Sequence, residues 1–489
     1  VERDHRQDIR VHAPPPGVGN AEPASHGTFG GLISLALPLI LGMSATALMQ
    51  FTDRWFLSQL GASALAASFP AGITAYCGQC LFSTAAAFTS TFAAQHLGAG
   101  EPRQCGGWVW PALWFGLFGG ALMLAATPFL TALFTLMRPQ PEVLHATAGL
   151  CAWWLSCTLP ASVLSAIGGF YAGTGRTAMV LVFNGCLLLL NAGLNALLIF
   201  GGLGLPALGT LGAGIGTFAA TTLMALVALA CFLMPANRGR FGTFAAPRWH
   251  AGRLWHFLSF AAPQGIRALL EIGAWTFFTF AVGRLGTEAL AANNIVINWN
   301  LLTFIPMVGL SQAIGVAVGQ AIGAGAPERA VSATGKGVLL ELGYAVVIGA
   351  ALLLLRDQLI LPFLHPDPAG DAGDSARRIL VTSRHLLVVA ALWGLGEALN
   401  LAYTGALNGA GDTRWPMCAA LIGATTLLIL PMVLVLSCPP DWWLAHGVEP
   451  VVAAWLVTLL FVTVTGSAMA LRFYFGSWRR SSVRRMPAG

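Results

Sequence analysis

Three acidic residues stand inside otherwise apolar runs of this 489-residue chain: Asp53, Glu271 and Glu397. A carboxylate at bilayer depth costs roughly 2.5–3.5 kcal/mol on insertion scales, so each is read as a functional site until a partner explains it. Glu397 lies midway along 387–416, LVVAALWGLGEALNLAYTGALNGAGDTRWP, with Asn400 three residues on and hence on the same helix face. Glu271 follows Arg267 by four residues, a spacing that permits an intrahelical ion pair. Asp53 is followed directly by Arg54, but adjacent residues point to different helix faces, so a proton or cation site is the better reading than a pair between them. In FNGCLLLLNAGLNALLIFG, Asn184, Asn191 and Asn195 place amides in another apolar run, the last two at i and i+4 on one stripe. These amides could face a carboxylate across a cleft or simply bond between helices.

The elements that must hold these groups are membrane helices. The chain is 56% hydrophobic and 9% charged, where a soluble domain carries about a quarter charged residues. A span needs about 20 mostly apolar residues. That test predicts twelve spans, at 31–52, 65–95, 107–134, 145–170, 178–201, 211–234, 256–282, 290–321, 333–356, 380–408, 416–437 and 450–475. The apolar run from Leu32 has no small-residue cleavage site after a short core, so it is expected to be a span and not a removable signal. Pro38 and Pro263 lie inside spans and are expected hinges. The net charge of +6 sits in short loops and at the two ends, which argues for membrane orientation and against nucleic acid as a partner.

The chain repeats itself. LGASALAA at 60–67 matches LGTEALAA at 285–292, Gly98-Ala-Gly100 matches Gly323-Ala-Gly325, and Pro38 matches Pro263, all at a shift of 225 residues. Gly173-Thr-Gly-Arg-Thr177 resembles Gly409-Ala-Gly-Asp-Thr413 at a slightly longer shift. The expected organisation is a tail at 1–30, a six-helix lobe at 31–234, a linker at 235–255, a second lobe at 256–475 and a basic tail at 476–489. Six spans per half make the repeats parallel, with a cleft between them near the midplane. The excess of arginine on the side of the tails and linker places both termini in the cytoplasm. Trp108, Trp110, Trp442 and Trp443 fall at span ends, as an interfacial aromatic belt would. Nine scattered cysteines, including Cys77 and Cys80, read as buried thiols, since no second pair or histidine accompanies them. The sequence also lacks paired D-x-x-D, H-E-x-x-H, G-x-S-x-G and P-loop motifs, which removes the usual grounds for an enzyme.

This pattern resembles the multidrug and toxic compound extrusion (MATE) family, in its NorM-like bacterial branch. The resemblance rests on Pro38, Asp53 and Leu60-Gly61 in the first span, Pro263, Gly265 and Glu271 in the seventh, Asn191 and Asn195 in the fifth, and Glu397, Gly405, Gly409 and Asp412 around the tenth. It implies an all-α polytopic membrane protein with V-shaped lobes, exporting organic cations against sodium or protons from the bacterial inner membrane as a monomer without a bound cofactor. Coupling would then fall to Glu271, Glu397, Asn400 and Asp53. The polar cleft would be lined by Asn184, Asn191, Asn195, Arg267 and Arg54. Two features depart from the family pattern: the tenth-span acid is Glu where Asp is expected, and Arg54 and Arg267 stand beside acids. The second departure leaves room for anionic or zwitterionic substrates, or for a lipid-linked precursor flippase of the same superfamily. At the 225-residue shift Asp53 corresponds to Phe278 and Glu271 to Thr46, so the acids are not duplicated and one ion site, centred on Glu397, is expected.

Overall fold

A computed structural model describes residues 27–136, 140–202, 204–244, 249–364, 372–439, 443, 445–480 and 483–484. Residues 1–26 of the expected tail at 1–30, Trp442 and the last five residues lie outside these. The described chain is a succession of long helices. Those of Phe29–Gln59, Pro102–Thr135, Pro141–Gly173, Thr177–Phe200, Gly209–Leu233, Ala251–Gly283, Thr287–Gly323, Pro327–Leu354, Ser375–Ala410, Arg414–Ser437 and Pro450–Phe475 are long and apolar enough to cross a membrane. The second span completes the twelve. It is built from Ala62–Ala87 and Thr89–Gly98, joined at Phe88. Ala62–Ala87 is less apolar than the other spans because it carries Ser63, Ser68, Thr74, Gln79 and Ser83, and Thr89–Gly98, as described below, seals the two lobes together.

The helices tolerate their prolines without breaking. Pro38 and Pro263 sit inside continuous helices of 31 and 33 residues. In the eleventh span a π-helical stretch, Ala424–Ile429, precedes Pro431, where the missing N–H leaves the ladder to widen. The linker is partly helical, with Pro235–Phe241 folded and the seventh span already under way at Ala251.

Backbone geometry confirms the internal repeat. Gly61 and Gly286 both have positive φ (111° and 121°) and cap the second and eighth spans. Gly100 and Gly325 (74° and 69°) and Gly175 and Gly411 (78° and 88°) likewise form equivalent left-handed turns. Only glycine enters that region at no steric cost.

Within the first half the first span packs on the fifth and the second on the fourth; in the second half the tenth packs on the eighth, ninth and twelfth. Between the halves, the first span meets the eighth and the second meets the seventh. The closest approaches are glycines against backbone. A Cβ on Gly98 would stand 2.0 Å from the Gln320 carbonyl, and one on Gly323 would stand 2.0 Å from the Gln95 carbonyl. The same two glutamines, 225 residues apart, donate to the equivalent turns of the opposite half: Gln95 Nε2 to the Gly409 carbonyl (2.9 Å) and Gln320 Nε2 to the Gly173 carbonyl (3.2 Å). Thus a pseudo-two-fold seal closes the end of the molecule from which both chain ends emerge. Gly309 against Ile40 and Gly265 against Leu81 extend the contact toward mid-depth.

The expected basic tail is partly docked on this seal. Trp478 is fully buried and stacks on Phe473 (4.6 Å). Val483, also fully buried, donates its N–H to Gln95 Oε1 (3.0 Å), and its carbonyl meets His256 Nε2 (2.7 Å). Arg484 reaches the Gly323 carbonyl (3.2 Å) and Glu101 Oε1 (2.8 Å), so the strand ties both halves. Glu101 in turn meets His96 Nδ1 (3.0 Å), and Trp108 Nε1 donates to His96 Nε2 (2.8 Å), which fixes the proton of a neutral His96 on Nδ1. Trp108 is therefore a buried core residue stacked on Phe92 (4.5 Å), not part of an interfacial belt. The thiols are mixed: Cys80, Cys105, Cys151 and Cys157 are buried as expected, whereas Cys186 and Cys418 are exposed.

Two predictions follow from the seal. Gly98→Ala and Gly323→Ala should each cost about 1–3 kcal/mol, because the neighbour that must yield is backbone. Gly168→Ala, which meets nothing within 4 Å, should leave stability unchanged or slightly higher. Melting temperatures in detergent check the contrast. For the clasp, burial pushes the Glu101 carboxyl up, but hydrogen bonds from His96 and Arg484 outweigh it and hold the group below its ordinary value of 4.5. A depressed carboxylate stabilises the fold above that ordinary value and loses its contribution as pH falls through its lowered one. Since Glu101 is 38% exposed, the effect is at most about 1 kcal/mol. Glu101→Gln should accordingly lower the melting temperature near neutrality and flatten its decline in acid.

Candidate functional site

The polar residues of the membrane interior gather in two clusters, one in each half. In the first half Asp53, only 6% exposed, accepts from Asn195 Nδ2 at 2.7 Å. The same amide approaches Asn191 Oδ1 (3.3 Å), and Asn191 Nδ2 donates to Thr217 Oγ1 (3.1 Å). The i, i+4 stripe of the fifth span thus points between the first and sixth spans, and Asn191 and Asn195 are fully buried there. Gly216 makes room for it, because a Cβ at that position would lie 2.0 Å from Asn195 Oδ1. That oxygen has no hydrogen-bond partner among the described residues. Arg54 is exposed and on another face, so Asp53 is held by Asn195 and not by its neighbour. Asn184 does not join the cluster; its amide packs against Gly42, more than two helical turns along the first span.

In the second half Arg267 Nη1 bonds Glu271 Oε1 along one turn of the seventh span. Arg267 is buried (7% exposed) while the Glu271 side chain is 37% exposed, which turns the acid toward open space. Glu397, 7% exposed, accepts from Asn400 Nδ2 at 3.4 Å, and it lies within Coulombic reach of both Glu271 and Arg267. Close packing holds the tenth span here: Gly396 abuts Val462 and Thr463, and Gly466 fits against the backbone at Asn400. Among the described residues no three His, Cys, Asp or Glu side chains converge in the manner of a metal cage.

Sequence reading overlooked one member. Glu341, in the ninth span, is fully buried, and neither of its carboxylate oxygens has a hydrogen-bond partner among the described residues. The signal was present, because GVLLELGYAVV is another apolar run with one acid in it. Thr217 was also missed, a lone threonine being unremarkable until the fold places it beside two amides.

The arginine pair generates a prediction. Glu271→Gln should lose stability by leaving Arg267 unpaired at membrane depth, and Arg267→Gln with Glu271→Gln together should recover part of that loss. A coupling of about 0.5–3 kcal/mol in the thermal stabilities is expected, and simple addition of the two single effects would show that the pair contributes nothing.

Comparison with known proteins identifies the family. The family model MatE matches residues 38–197 and 263–435, beginning each time at one of the paired prolines. "Multidrug resistance protein PmpM" of Pseudomonas aeruginosa is 30% identical over 460 residues, covering 93% of this chain and 92% of that protein. "Probable multidrug resistance protein NorM" of Xanthomonas campestris pv. campestris is 29% identical over 479 residues, covering 93% and 94%. Among solved structures, an outward-facing multidrug resistance MATE family transporter of the MOP superfamily superposes with a TM-score of 0.78 at 16% identity, over 96% of this chain and 100% of that one. A MOP superfamily transporter from Pyrococcus furiosus, described as having a binding pocket of reverse polarity, gives 0.78 at 16% identity, over 93% and 96%. With a family model matching both halves and near-complete coverage by its relatives, the chain belongs to the MATE family of membrane transporters, in its NorM-like bacterial branch.

Proposed function

We propose that this protein exports organic cations from the bacterial cytoplasm in exchange for protons, its lobes opening alternately to the two sides, with Glu397 as the central coupling carboxyl. The observation that carries the reading is the buried Glu397–Asn400 pair, within electrostatic reach of Glu271, Arg267 and Glu341, with no acidic counterpart at equivalent positions in the first half. A carboxyl removed from water responds strongly to the arrival of a proton or a charged substrate. Protons are favoured over sodium because Arg267 already supplies the cation beside Glu271, and among the described residues only Asn400 is hydrogen-bonded to Glu397. An alkali cation would need several oxygen ligands at once. The closed seal at the end bearing the chain termini supports an outward-open state if both termini are cytoplasmic, as the arginine distribution suggests. The flippase reading loses support at Arg267, whose charge is already engaged by Glu271.

Reconstituted protein loaded into proteoliposomes tests this. Glu397→Gln should abolish proton-driven efflux of a fluorescent cation while retaining a folded protein that binds it, and Asp53→Asn should instead change the pH dependence and substrate release. Wild-type efflux by the Glu397→Gln protein would refute the assignment, and efflux driven by sodium alone would refute proton exchange.

A further inference from the structure

The ninth span carries a stripe of buried residues every four positions: Gly337, Glu341, Ala345 and Gly349. The stripe faces the eighth and tenth spans. Gly337 abuts Ile314 of the eighth, Ala345 packs with Ala398 and Leu401 of the tenth, and Gly349 lies against Ala391. Three members are small because neighbouring helices approach there closely. The fourth is a carboxyl with no exposed surface and no hydrogen-bond partner for either oxygen among the described residues, one turn from Ala345, which shares an apolar cluster with Ala398, the neighbour of Glu397. Such a group adds nothing to packing that an apolar side chain would not do better, and burying it without a partner is costly.

Among the described residues, Glu397 on the tenth span acts on Glu341 electrostatically. Arg267 on the seventh reaches Glu397 and Glu271. Glu288 on the eighth span and Arg384 on the tenth are engaged near the far ends of their helices, with Arg378 and Asp357 respectively. Two carboxyls within electrostatic reach of each other in a desolvated helix junction cannot both be ionised cheaply, and one proton distributed over the two resolves the conflict.

We propose that Glu341 is a second proton-carrying residue of this transporter, sharing one exchangeable proton with Glu397. The inference rests on the proton-exchange reading above. The proton enters the pair as substrate leaves, and it departs to water on the opposite side when substrate next binds. The pair thus holds one proton and one negative charge in one state, and two negative charges offset by the bound cation in the other.

Proton release on binding ethidium, followed with a pH indicator in weakly buffered detergent solution, tests this on the full-length protein. Wild-type protein is expected to release protons on binding, and its failure to do so would overturn proton exchange itself. Glu341→Gln and Glu341→Met should bind ethidium, yet release should fall to about half of the wild-type value or less, since the pair titrates as a unit. Glu341→Met, which removes the buried unbonded acid, should also keep or raise the melting temperature. Wild-type release by both folded variants would overturn the role of Glu341 while leaving that of Glu397 standing. Failure of both variants to fold would also overturn it, because it would make the residue structural.

Discussion

A charge inside a bilayer must be met by another polar group of the same protein, and this constraint arranges the interior of the molecule. Asp53 is met by Asn195, Glu271 by Arg267 and Glu397 by Asn400. In the first half the bond crosses between spans, so the acid, two amides and Thr217 knit three helices together. In the second half the bonds to Glu271 and Glu397 stay within a helix, and contact between spans is left to packing and to the field of the charges. On the proposed function, the second cluster is where a proton or substrate changes the charge without breaking a bond between helices.

The lobes themselves are joined by uncharged chemistry. At the sealed end the contact is glycine against carbonyl and glutamine amide against carbonyl, repeated once by the pseudo-two-fold axis. Such contacts combine close backbone approach with a few directional bonds, an interface that can separate as a unit. The C-terminal clasp adds Arg484 and Val483 across it, with the His96–Glu101 pair as its anchor.

Much of this was legible in the sequence. The repeat was visible because positive-φ turns demand glycine, and so Gly61, Gly100 and Gly175 return as Gly286, Gly325 and Gly411. The acids were visible because charge is rare in apolar runs, and the Arg267–Glu271 pair because i, i+4 spacing is local. What was not legible depends on tertiary contact. The docking of Val483 onto Gln95 joins residues 388 positions apart, and no local pattern announces it. Trp108 sits at a span end, as an interfacial residue would, but His96 draws it inward. Glu341 is the exception, since the rule that singled out the other acids applies equally to it.

The central claim is that moving substrate across the membrane moves protons the other way through the second lobe. Its most direct test is the pH inside sealed proteoliposomes, clamped at zero membrane potential and free of sodium, when only a gradient of a permanently charged organic cation is imposed. Cation leaving the vesicles through the transporter should acidify the lumen, and cation entering should make it alkaline. Cation movement with no change in internal pH, or none until sodium is added, would contradict the account.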